Sequence, residues 1–195
     1  MVTTLLSALR FSLVVLSQAA LLLYAGAVYA SSVNLAQGLE IDLPSSLSLD
    51  VITPQDQPDQ LDKPKKPVIT SPIIAGKING EPAYFIAASK VKNWEKNSVL
   101  WKRLESGIEE RSKPGEFTII QRGNFPTLTN EIVWFRAYEF EAENQKHRQV
   151  YFLLNYQRNA YWITLTMAKD SDINLAIPIT KALISRARIV EDIDQ

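Results

Sequence analysis

The sequence predicts an α+β fold, an antiparallel β-sheet with helices packed on its faces. Three observations predict it. Ile132–Ala142, His147–Tyr156 and Ala160–Met167 are apolar-rich runs separated only by short polar breaks, which leave no room for crossover helices and so favour antiparallel pairing. Asn79-Gly80 stands between two further apolar runs, the strongest short-range hairpin signal. Asn93–Arg111 and the stretch after Asp170 carry helix signals of apolar spacing and capping residues.

Residues 1–30 read as a targeting segment rather than as fold. Arg10 is the one basic residue of a short n-region, and Phe11–Leu23 is apolar apart from Ser12, Ser17 and Gln18. Ala25-Gly26-Ala27 and Val28-Tyr29-Ala30 both place small residues where a signal peptidase reads them, so cleavage would fall after Ala27 or Ala30. The alternative is an uncleaved anchor, because residues 11–30 would span ~30 Å as a helix, the thickness of a hydrocarbon core. Residues 31–37 read as a short polar linker, and residues 38–195 as a single globular domain.

Within that domain, Leu39, Ile41 and Leu43 alternate with Glu40 and Asp42, a short strand ended by Pro44. Leu47, Leu49 and Val51 continue the alternation. Residues 53–72 hold five prolines among Asp, Gln and Lys, too few large apolar groups to offset the entropy of ordering. They read as an exposed Pro-rich loop, either a partner-binding arm or a variable insertion. Ile73–Ile78 and Ala83–Val91 form the strands on either side of the Asn-Gly turn, and Gly76 and Gly80 read as hairpin glycines.

Asn93–Arg111 places Trp94, Trp101, Leu104 and Ile108 on one stripe, with Asn93 able to cap the start and Lys113-Pro114-Gly115 ending it. Glu116–Gln121 reads as a short strand and Arg122–Asn130 as a loop. The three-strand meander follows. Its middle strand is apolar on both faces, which suits the centre of a sheet covered by other layers. Asp170-Ser171-Asp172 can cap a closing helix to about Ala187, with Ala182, Leu183 and Ala187 toward the sheet. Pro178 suits a first-turn position, which would start the regular helix near Ile177. Ile189-Val190 could add a last strand.

Chemistry is sparse in this sequence. It has no cysteine, which removes disulfides, thiolate metal sites and a lipid-modified cysteine at the cleavage site. His147, the only histidine, reads as an exposed residue beside a hairpin turn and cannot build a histidine-rich zinc site. Acidic and basic residues balance at 21 each; without Arg10 the count is 20 basic to 21 acidic, a net of −1. No basic excess favours nucleic acid. Glu139 and Glu141 share a strand face, with carboxyls ~7 Å apart. That suits an acid–base pair or the solvated end of a strand. No nucleophile elbow, phosphate-cradling loop or EF-hand pattern is present. Trp134, Tyr138, Phe140, Tyr151 and Trp162 are a mild aromatic surplus within the meander. They read as core or, where a face is left uncovered, as a partner surface.

The order of these elements resembles the PsbP-like superfamily. That group includes the extrinsic subunit of photosystem II, a Ran-binding nuclear import factor and bacterial envelope proteins of the DcrB type. The likeness spans about Gly38–Val190 and rests on Gly-Leu-Glu-Ile-Asp-Leu-Pro at the start and Tyr161-Trp162-Ile163-Thr164-Leu165-Thr166 near the end. Ser45-Ser46-Leu47 departs from it, since an aromatic often follows the opening proline, and the Pro-rich loop is long for it. The resemblance implies an α/β/α sandwich and a role in binding or assembly rather than catalysis; it transfers no site residue.

The sequence therefore leads to a non-enzymatic exported envelope protein acting as a protein-binding or assembly module. Its partner would be an envelope protein or membrane complex, with no cofactor and no nucleic acid. Location would be periplasmic or secreted after cleavage, or at the inner membrane through a tether at residues 11–30. The alternative function is a periplasmic small-molecule or lipid carrier with a pocket between sheet and helix. An enzyme using carboxylates alone is a third reading.

Overall fold

A computed structural model describes residues 29–54, 71–78, 80–92, 95–156, 159–167 and 172–190. Its strands are β1 (Tyr29–Ala36), β2 (Leu39–Pro44), β3 (Leu49–Ile52), β4 (Ile73–Ile78), β5 (Glu81–Lys90), β6 (Phe117–Pro126), β7 (Ile132–Ala142), β8 (Gln145–Tyr156), β9 (Asn159–Met167) and β10 (Arg188–Ile189). Helix α1 (Asn97–Glu109) lies between β5 and β6, and α2 (Ile173–Ile184) between β9 and β10. Seven strands form one antiparallel sheet in the order β3-β4-β5-β9-β8-β7-β6, and β1-β2-β10 form a second. The fold is α+β, as the sequence predicts.

Alternation of side chains divides the large sheet into two faces. Val133, Phe135 and Ala137 of β7, Val150, Phe152 and Leu154 of β8, and Tyr161, Ile163 and Leu165 of β9 point into the larger core. The small sheet meets them with Val33, Leu35, Leu39, Ile41 and Leu43, and α2 with Ala176, Ile177, Leu183 and Ile184. The opposite face carries Tyr138, Phe140, Leu153 and Ala160 beneath Leu100, Trp101 and Ile108 of α1. One outer layer is thus a helix; the other is a mixture of small sheet and helix.

The hairpins are tighter than the sequence suggests. Ala142 pairs with Gln145, so the loop is Glu143-Asn144, and both take positive φ, 52° and 59°. That is a two-residue type I′ turn, whose twist matches the flanking strands. Gly80 takes φ +86° between the paired residues Ile78 and Glu81.

Several expectations are corrected. The polar linker at residues 31–37 is mostly strand, because β1 pairs along β2 from Tyr29↔Pro44 to Ala36↔Leu39. Its inward Val33 and Leu35 are buried between exposed Ser32 and Asn34. The loop expected at Arg122–Asn130 is strand as far as Pro126. As the outermost strand, β6 keeps its polar side chains in water and so lacks an apolar signal. α1 begins at Asn97, after an N-cap residue, Lys96, whose side chain makes no cap bond; the expected cap Asn93 and the stripe residue Trp94 lie outside the described residues.

α2 begins at Ile173, with Asp172 accepting a hydrogen bond from the Asn174 amide at 2.8 Å. Pro178 sits inside this helix, not in its first turn. Of the residues expected toward the sheet, Leu183 and Ala187 are in the core, joined by Ile184, whereas Ala182 is exposed. β3 and β4 pair as antiparallel neighbours up to Ile52↔Ile73, so the Pro-rich loop joins adjacent strands; its residues 55–70 lie outside the described residues, as does the proposed tether at 11–30. Among the described residues no helix is long and apolar enough to cross a membrane.

Candidate functional site

The five meander aromatics share a face by register. Helix α1 covers four of them. Tyr138 is fully buried and Phe140 is 6 % exposed. Tyr151 and Trp162 are half-buried, with Trp101 of α1 set edge-on to Trp162 at 4.8 Å between ring centres. Trp134 is 43 % exposed and lies beside the first turn of α1, across a cleft from Asn97 and Ser98. The surface offered by these residues therefore narrows to Trp134, and the rest are core under a helix. Apolar spacing alone does not distinguish the two, since it reports a side chain's face and not what covers it.

Around Trp134 the structure opens a cleft of about 380 Å³ between the start of α1 and the β6–β7 hairpin. Asn97 and Ser98 line the helix side, and Arg122, Trp134 and Arg136 the sheet side, with Trp101 between. Asn97 Oδ1 accepts a hydrogen bond from the Asn155 amide at 2.7 Å, which ties the helix start to β8. Asn155 Oδ1 is buried and accepts no hydrogen bond among the described residues.

Arg136 is held in place from two sides. Its guanidinium lies 4.6 Å from the centre of the Trp101 ring and donates to Glu105 Oε1 at 2.5 Å. The same oxygen accepts from the Tyr138 hydroxyl at 3.0 Å. Burial first, and then the Glu105 carboxylate, raise the Tyr138 pKa. The phenol thus stays protonated and serves as a donor. Arg122 is directly opposite Arg136 on the neighbouring strand, is exposed, and has no ion pair among the described residues.

The sequence reading missed Arg122, Gly123, Asn97 and Ser98 as a group. The signal for Arg122 was the continuation of β6 as the hairpin partner of β7. It was hidden by a bulge between Ile119 and Gln121 that breaks the two-residue period.

The remaining candidates are placed elsewhere. Glu139 pairs with Lys146 at 2.7 Å and Arg148 at 2.9 Å, and hydrogen bonds from these two cations hold its carboxyl below the usual range. Glu141 pairs with Lys113. Each carboxylate is thus occupied by cations. His147 lies within β8, not in the turn. It is half-buried, and its ring stacks on Phe140 at 5.3 Å. Among the described residues no group of three or more metal-ligating side chains could hold an ion.

No protein-family model and no curated protein matches the chain. Among solved structures it is similar to cyanobacterial PsbP (CyanoP) of Synechocystis sp. PCC 6803, with TM-score 0.48, 8 % identity, and coverage of 78 % of this chain and 87 % of that one. It is similar to PA94, a protein of unknown function from Pseudomonas aeruginosa, with TM-score 0.42, 11 % identity and coverage of 75 % and 88 %. It is also similar to LpqN of Mycobacterium tuberculosis, involved in cell envelope biogenesis, with TM-score 0.44, 13 % identity and coverage of 83 % and 91 %.

Proposed function

We propose that this protein is an exported, non-enzymatic binding module of the cell envelope that engages a partner protein at the cleft between α1 and the β6–β7 hairpin. The carrying observation is the exposed Trp134 in a cleft with Arg122, a cation without an ion pair among the described residues. Tryptophan and arginine are the side chains most enriched where partners contribute most binding energy. The catalytic reading has less support, because Glu139 and Glu141, the carboxylates put forward for it, are engaged in ion pairs.

The test is a photo-crosslinking amino acid in place of Trp134, in the full chain expressed in its own host. A discrete protein adduct from this position, absent when the same group replaces Lys102 on the outer side of α1, is the expected result. Equal labelling from both positions, or none from either, overturns the reading.

A second reading, a small-molecule carrier, draws on the cleft volume, which exceeds the ~300 Å³ typical of the smallest ligand sites. It predicts a retained ligand in native mass spectrometry and no adduct at position 134.

A further inference from the structure

We propose that the ligand of the cleft is an acidic, extended peptide segment of the partner, laid along the free edge of β6 with a carboxylate on Arg122. This rests on the binding-module reading and names its occupant.

Charge is the first argument. Arg122 and Arg136 face each other across β6 and β7 and both line the cleft. Like charges in direct cross-strand register destabilise a sheet. One carboxylate, Glu105, reaches this pair, and its Oε1 is already shared between Arg136 and the Tyr138 hydroxyl. The chain thus leaves one positive charge of the pair without a counter-charge among the described residues. A bound carboxylate would supply it, in the planar two-point geometry that guanidinium favours.

The strand edge is the second argument. β6 is the last strand of the seven-stranded sheet, so its outer row of main-chain N–H and C=O groups has no neighbouring strand. An added peptide strand satisfies such a row. The bulge after Ile119 and the proline at 126 bracket the stretch open to pairing, residues 121–125. A small anion would neutralise Arg122 but leave this edge unpaired. Ile132 and Trp134, each 43 % exposed, give apolar side chains flanking the carboxylate a surface to rest on.

The experiment uses the full chain and a fluorescent peptide alternating Val and Asp, which as a strand presents every carboxylate on one face. Its analogues carry Asn or Lys in place of Asp. The Asp peptide is expected to bind about tenfold more tightly than the Asn peptide, an advantage that shrinks with added salt. Amides 121–125 gain protection from hydrogen exchange on binding. Arg122→Glu is expected to reverse the preference toward the Lys peptide, and Arg122→Gln to abolish it. The Gln variant decides the matter if thermal unfolding shows the Glu variant to be misfolded.

Equal affinity for Asp and Asn peptides, or an unchanged preference in both variants, overturns the proposal. So does displacement of the peptide by inorganic phosphate with no protection of β6, which would assign the site to a small anion. If the Trp134 crosslink captures a partner while the peptides show no charge preference, the binding module stands and its acidic ligand falls.

Discussion

The ring of Tyr84 lies flat against Gly76 across the β4–β5 pair, so close that a Cβ on Gly76 would sit 2.0–2.5 Å from three ring carbons. Gly76 is therefore not a turn glycine; it is the bed of an aromatic side chain that is 2 % exposed. The same device recurs near the opposite edge, where a Cβ on Gly123 would meet the Phe135 ring at 2.9 Å. In both pairs the aromatic covers backbone that glycine leaves bare.

Gly76→Ala should displace the Tyr84 ring and cost about 1–3 kcal/mol, the usual range for overpacking a core. Tyr84→Ala should cost about 3–5 kcal/mol through the cavity left behind. Denaturant unfolding of both variants checks the argument. A Gly76→Ala protein as stable as the parent would show that the ring moves freely and that the contact is incidental.

Glu105→Gln should cost about 1–3 kcal/mol, since a neutral amide oxygen replaces the charged acceptor of the hydrogen bond from Arg136 and weakens the bond from Tyr138. Tyr138→Phe should cost about 1 kcal/mol. The two share one carboxylate oxygen, so their effects should not add. Strict additivity in the double variant would mean that the hydroxyl and the carboxylate do not interact in solution.

Glu139 links stability to pH. Its folded pKa lies below the ordinary carboxylate value because Lys146 and Arg148 donate to it. Its contribution is therefore complete above the unfolded pKa and disappears as pH falls through the folded one. At pH 7 Glu139→Gln should be less stable by about 0.2–1 kcal/mol, in line with partly exposed pairs. The two proteins should converge once the pH is below the folded pKa, where the carboxylate is protonated in both folded and unfolded states. Thermal melts across this range decide it; a gap that persists in acid would place the effect in packing instead.

Pro178→Ala should stabilise the domain. Pro178 is exposed and lies inside α2, where it gives no N–H to the carbonyl of Asn174. Restoring that donor should contribute about 1–3 kcal/mol, or roughly 2–4 °C in Tm per kcal/mol for a domain of this size. An unchanged or lower Tm would mean that the proline's fixed φ shapes the helix against the sheet.

If the chain is exported and cleaved, the mature protein should begin at Val28. β1 starts at Tyr29, paired with Pro44, so cleavage after Ala27 leaves the strand whole, whereas cleavage after Ala30 would remove its first two residues. The intact mass of the protein from its host envelope distinguishes these. A full-length mass would favour the anchor.

The sequence by itself determined the α+β class, the three-strand meander, the Asn-Gly hairpin and the interior position of β8 in its sheet. Each of these is a local pattern: alternation, a turn pair, or apolar residues on both faces of one run. It also determined that no thiol chemistry is available. Tertiary structure decided everything that depends on what lies opposite. β1 and the far half of β6 are strands because neighbouring strands take up their hydrogen bonds, although their outward residues are polar. Tyr138 and Phe140 are core and Trp134 is surface because α1 crosses the sheet where it does. Arg122 stands against Arg136 because a bulge in β6 shifts the register, and one carboxylate reaches the pair. Local periodicity fixes the face of a side chain, but burial and charge balance are properties of the neighbours that the fold brings to it.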